Sequence, residues 1–114
     1  MDHPAAYAHL NASIGALAHA APGVMSGFAT LQQASQLEGA LSAKVKELMA
    51  LAIGIAVHCE GCVTYHVHDA LRAGATPQEV AETVGIAVMM GGGPAVVFGA
   101  EALEALTQFQ ALAP

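Results

Sequence analysis

Permanent positive charge is scarce in this sequence: Lys44, Lys46 and Arg72 are its only lysines and arginines, against nine aspartates and glutamates. Nucleic-acid binding needs several phosphate-neutralising side chains on one face. Three cannot supply them, so no nucleic-acid partner is expected, and the formal net charge of −6 reads as a solubility device. Charge of either sign is thin. Only 11% of residues are charged and 55% are hydrophobic, whereas about a quarter of an ordinary soluble domain is charged. So few charges cannot cover a small globule, and part of the apolar surface is expected to be buried against other copies of the chain.

Long apolar runs are also lacking. The longest uncharged stretch, Thr83 to Ala100, is interrupted by Gly91, Gly92, Gly93 and Pro94, a helix stop, and Leu48 to Val57 is too short to cross a bilayer. Met1-Asp2-His3-Pro4 opens acidic, unlike the basic start of a signal peptide. The expectation is a cytoplasmic protein with no membrane partner. Two cysteines are too few for a disulfide scaffold. Their spacing, Cys59-Glu60-Gly61-Cys62, is that of a local redox or metal site.

Aromatic residues make up 4% of the chain, while alanine, leucine and methionine are abundant, which favours helices over strands. At 114 residues the chain is expected to be a single domain, 1–114. The pattern predicts an all-α, compact bundle of about six helices. The first spans about Pro4 to Ala20, and the second Val24 to Leu37 with Gly39 as its stop. Ser42 is a candidate N-cap for the third, although Val45 cannot complete a capping box. The fourth runs from near Cys59 to Ala73, closed by Gly74. Thr76-Pro77-Gln78-Glu79 is a strong start for the fifth. The glycine run, read as a turn or a close helix contact, ends it, and a sixth covers Pro94 to about Leu112.

With Cys59 at the start of the fourth helix, Cys59, Cys62 and His66 fall within an arc of roughly 60°. Cys62 and His66 are one turn apart on the same face. Unpaired backbone N–H groups and the positive end of the helix dipole favour thiolate there. An imidazole one turn on can take the thiol proton, and a second cysteine can resolve a sulfenic acid to a disulfide. Glu47 is the only acidic residue between Ser42 and Val57. In a hairpin of the third and fourth helices it can face His66, orienting the imidazole and raising its basicity. As a buried charge it would be costly without a partner.

Other readings of the same residues remain. The cysteines can be two small core residues. Cys59, Cys62 and His66 can also be three zinc ligands, with Glu47, His58 or His68 as a fourth, in a metal-binding helical module. No second cysteine or histidine pair follows Asp69, however, and structural zinc sites usually draw on two separated segments. A non-catalytic assembly protein rests on apolar composition alone. His3, His9 and His19 have no partner spacing and read as ordinary helix histidines, His68 as a solvated or interface histidine, and Tyr65 as a packing residue. Met25, Met49, Met89 and Met90 read as fillers of core or subunit interfaces.

Glu47, followed twelve positions on by Cys59-x-x-Cys62-x-x-x-His66, resembles the alkylhydroperoxidase D-like branch of the carboxymuconolactone decarboxylase family. The run from Asp69 to Val80 is similar too, so the resemblance spans roughly Ala43 to Leu106. It implies an all-α fold assembled as a homotrimer or homohexamer. It also implies a thiol-dependent peroxidase or disulfide reductase in antioxidant defence, with a hydroperoxide or disulfide as substrate. An external dithiol or partner redox protein would reset it, and no resident cofactor or metal is expected. Carried over by position, Cys62 would be the attacking thiolate, Cys59 its resolving partner, and Glu47 with His66 the proton relay. The best-studied branch has a histidine between its cysteines, where this chain has Gly61, and His58 stands beside Cys59 instead. The decarboxylase branch lacks the cysteine pair, which disfavours lactone decarboxylation.

Overall fold

A computed structural model describes residues 1–112; positions 113 and 114 of the expected domain lie outside them. Six helices follow one another: α1 (His3–Ala20), α2 (Pro22–Gln36), α3 (Ala43–Ala56), α4 (Glu60–Arg72), α5 (Pro77–Gly91) and α6 (Gly93–Leu112). The described residues contain no strand. Every predicted helix is present, with boundaries shifted by one or two residues.

Short polar side chains set the starts. Asp2 accepts from the Ala5 N–H ahead of α1, and Ser42 accepts from the Val45 N–H ahead of α3. At α5 Thr76 and Glu79 close the reciprocal capping box that their spacing predicts. Lys44 Nζ reaches the Glu79 carboxylate at 2.9 Å. Hydrogen bonds from Lys44 and from the Thr76 N–H hold that carboxyl below its ordinary range. The glycine run is a turn: Gly92 sits at φ 72°, where an L side chain is disfavoured, and this stops α5 and releases α6.

Helices α3 to α6 enclose the core. Leu51 and Ile55 of α3 meet Val63, Val67 and Ala70 of α4, Val80 and Val84 of α5, and a row of small residues on α6. Small residues let the axes approach closely: a Cβ on Gly99 would lie 2.6 Å from Val84 Cγ1. Leu51 is fully buried. Leu51→Ala should therefore cost about 2–5 kcal/mol of unfolding free energy, measured by denaturant titration; a loss well below that would show that the site collapses around the void.

The helix α1 lies against α4 and α6, and its start is pinned. Only 1% of His3 is exposed, and its Nδ1 is 2.8 Å from the Thr64 hydroxyl of α4. The reading of His3 as an ordinary helix histidine is corrected here: a partner 61 positions away leaves no local spacing. The helix α2 buries none of its residues and exposes Val24, Phe28 and Leu31. No helix of the described residues is long and apolar enough to cross a membrane.

Candidate functional site

The site begins with how α3 ends. Its last turn closes in a Schellman arrangement: the Cys59 N–H donates to the Gly54 carbonyl at 2.9 Å, and the His58 N–H to the Ile55 carbonyl at 3.2 Å. The residue between, His58, takes the left-handed conformation usually given to glycine, with φ 60°. Its ring stacks on Phe98 of α6, centroids 5.2 Å apart. The turn thus delivers Cys59 to the N-cap of α4, where its Sγ accepts from the Cys62 N–H at 3.3 Å. A sulfur in that position faces unpaired helix N–H groups.

Cys59 and Cys62 are joined by a disulfide, with Cα atoms 5.2 Å apart, inside the range such a bridge requires. Two glycines make room around it. A Cβ on Gly54 would come within 3.1 Å of Cys62 Cβ, so glycine lets the α3 backbone pass directly behind the sulfurs. A Cβ on Gly61 would meet Leu10 Cδ2 of α1 at 3.3 Å. Any side chain at that position would have to push the end of Leu10 aside by a few tenths of an ångström. His58 does not line the groove that exposes the sulfurs; its ring is committed to Phe98.

Glu47 reaches the site from α3 and is only 7% exposed. Its Oε2 is 2.9 Å from His66 Nδ1, and its Oε1 accepts from the Gln36 side chain at the end of α2. An ionised carboxylate can only accept, so Nδ1 donates to it, and in the neutral form of the ring Nε2 keeps a lone pair. The expected hairpin pairing of Glu47 with His66 is present. Gln36 is a residue that sequence reasoning misses: it ends a helix that buries nothing, and no local pattern marks it. Tyr65 lies beside His66, and burial followed by the nearby Asp69, Tyr7 and Glu47 pushes its phenol pKa up, so it stays a hydrogen-bond donor. His68 keeps part of its surface open to solvent, in line with the solvated reading, and has partners besides. It stacks on Tyr7 at 4.0 Å and lies 2.8 Å from an Asp69 oxygen.

A groove of about 800 Å³ opens onto the disulfide. Its floor carries Cys59, Cys62, Tyr65 and His66, and its walls are apolar, with Leu10 and Ile14 from α1 and Met25 and Phe28 from α2. All of the expected site residues except Glu47 line it, and Glu47 stands behind His66. A zinc site built on both sulfurs is not assembled, because the sulfurs are bonded to each other. The group of potential metal ligands among the described residues is instead Glu47, His66 and Asp69, whose ligand atoms lie within 4.8 Å of one another.

These features define a class, the helical proteins that carry a CxxC disulfide at a helix start with an imidazole–carboxylate pair beside it. The chain belongs to the carboxymuconolactone decarboxylase family, which it matches over residues 22–105, in keeping with the resemblance to the alkylhydroperoxidase D-like branch. An uncharacterized protein of Cupriavidus necator is 40% identical over 94 residues, 82% of this chain and 83% of its own length. Uncharacterized protein 4 of the cox locus of Paracoccus denitrificans is 30% identical over 98 residues, 86% and 88% of the two chains. The crystal structure of the apo form of a family member from Legionella pneumophila superposes with a TM-score of 0.90 at 38% identity, covering 94% of this chain and 96% of that one. A family member from Thermotoga maritima, for which a part in the antioxidative response has been suggested, shares the fold with a TM-score of 0.84 at 24% identity, covering 93% and 91%.

Proposed function

We propose that the protein is a dithiol oxidoreductase of alkylhydroperoxidase type, a peroxidase or disulfide reductase. The observation that carries this reading is the Cys59–Cys62 bridge at the start of α4, sharing one groove with a His66 ring whose far nitrogen Glu47 holds. In the reduced protein His66 Nε2 takes the Cys62 thiol proton, and Glu47 stabilises the imidazolium. The Cys62 thiolate attacks the terminal oxygen of a hydroperoxide. The O–O bond breaks, an alcohol leaves with the proton returned from His66, and Cys62 becomes a sulfenic acid. The Cys59 sulfur then displaces hydroxide from that sulfur, releasing water and forming the disulfide seen in the structure. An external dithiol returns two electrons by thiol–disulfide exchange. A reducing compartment such as the cytoplasm suits that last step.

The apolar groove walls favour an organic hydroperoxide over hydrogen peroxide, because burying alkyl surface lowers the free energy of the encounter. The test is a thiol titration of the reduced protein. Free thiols should fall from two to none, with mass spectrometry showing the intramolecular bond, and faster with cumene hydroperoxide than with hydrogen peroxide. Two thiols surviving excess peroxide would overturn the peroxidase reading. Equal rates would remove the substrate preference.

The same reading includes a homotrimer or homohexamer. The outer face of α2, Met49 and Ile53 of α3, and Met89 and Met90 of α5 are exposed apolar surface, more than an isolated chain tolerates easily. Light scattering should give a mass three or six times that of the chain; a monomeric mass would overturn the assembly.

A further inference from the structure

We propose that Glu47, His66 and Asp69 form a binding site for one divalent transition-metal ion of the zinc type, and that an ion held there switches the thiol chemistry off. The second half of this statement rests on the relay described above; the first does not. Three potential ligand atoms lie within 4.8 Å of one another. The tightest pair, Glu47 Oε2 and His66 Nδ1, is separated by 2.9 Å. Two neighbouring ligands roughly 2.0–2.2 Å from a tetrahedral zinc ion stand about 3.3–3.6 Å apart, so an ion entering here widens this hydrogen-bonded pair by about half an ångström. The ligand atoms come from two packed helices, Glu47 from α3 and the other two from α4. His66 and Asp69 are three residues apart on one face.

Charge supports a cation here. Two carboxylates meet two imidazoles, His66 on Glu47 and His68 on Asp69, so with both rings neutral the cluster carries two negative charges. The chain's permanent cations do not neutralise the trio by ion pairing: among the described residues the salt bridge from Lys44 goes to Glu79, and the partner of Glu47 is His66. One nitrogen and two carboxylate oxygens suit a borderline ion better than magnesium or calcium, which take all-oxygen shells. An ion between Oε2 and Nδ1 takes the place of the proton now shared there. The neutral ring then carries its proton on Nε2, and a protonated Nε2 cannot accept the Cys62 proton. Both halves of the relay are disabled by one substitution of metal for proton.

Calorimetry with zinc chloride on the oxidised protein tests the site, because the disulfide keeps both sulfurs from ligating. One ion should bind, cobalt should give a visible d–d band, and magnesium should not compete. Asp69→Asn and Glu47→Gln, which keep side-chain size, should each weaken zinc roughly tenfold or more, at least the cost of losing an outer-shell partner. The double variant Cys59→Ser, Cys62→Ser should bind as the parent does. Absence of zinc binding by the oxidised protein, or unchanged affinity in both carboxamide variants, would overturn the site. Thermal unfolding without metal checks that each variant is folded; where one is not, the affinity of the other decides alone. Zinc should also slow alkylation of the reduced parent while sparing reduced Asp69→Asn. Equal slowing in the two would place the ion on the thiols and overturn the switch. Binding with no slowing would leave the site standing and remove His66 from the thiol chemistry.

Discussion

Cys62→Ser should abolish peroxide reduction and leave one thiol, on Cys59, that peroxide cannot convert to an intramolecular bond. Serine keeps the volume and the hydrogen-bonding backbone at that position but not the nucleophile, since only a thiolate attacks at neutral pH. The measurement is turnover of cumene hydroperoxide with a dithiol as reductant, together with thiol counting. Cys59→Ser provides the contrast. Its Cys62 should still react once, giving a sulfenic acid that a dimedone-type trap captures, with no disulfide to follow. If Cys62→Ser instead gave the trapped sulfenic acid and Cys59→Ser gave none, the two sulfurs would exchange roles. The N-cap position of Cys59, with Sγ accepting the Cys62 N–H, makes that reversal a chemically reasonable result, and the pair of variants separates the alternatives.

His66→Gln should slow the same reaction by about 10²–10⁴-fold, the usual worth of a positioned general base. Glutamine retains a polar group near Glu47 but has no nitrogen that accepts a proton at neutral pH. The apparent pKa of the reactive thiol should rise, and alkylation near pH 7 should slow in step. Glu47→Gln should have the smaller effect, because it removes the partner that orients the ring and leaves the ring in place. An alkylation profile superimposable on that of the parent would take His66 out of the mechanism. A uniform loss at every pH would instead assign it to packing.

The helices and the heart of the site were legible in the residues for local reasons. Thr76, Pro77 and Glu79 carry their capping chemistry within four positions, and Cys59, Cys62 and His66 lie within two turns of one helix. Glu47 stood out because a charge inside an apolar helix is expensive unless paired, and the pairing with His66 across the α3–α4 hairpin is what the structure shows. The parts that were not legible are those made by distant segments. Gln36 meets Glu47 from a helix with no buried face. Leu10 of α1 fills the space beside Gly61, and His3 is held by Thr64 across 61 positions. None of these leaves a periodic or spacing signal, because each depends on how α1 and α2 come to lie over α4. Asp69 belongs with them: its proximity to Glu47 and His66 follows from helix packing, whereas its position in the sequence marks it only as a surface acid.

The turn that joins α3 to α4 has one more consequence. Its carbonyls and amides are matched to one another, Cys59 to Gly54 and His58 to Ile55, so the backbone there is held whether or not sulfur is bonded to sulfur. Making or breaking the S–S link then asks for little more than rotation about two short side chains. In the proposed dithiol chemistry an electron pair would then enter or leave next to a backbone already fixed by its own hydrogen bonds, and no chain segment would have to melt and re-form.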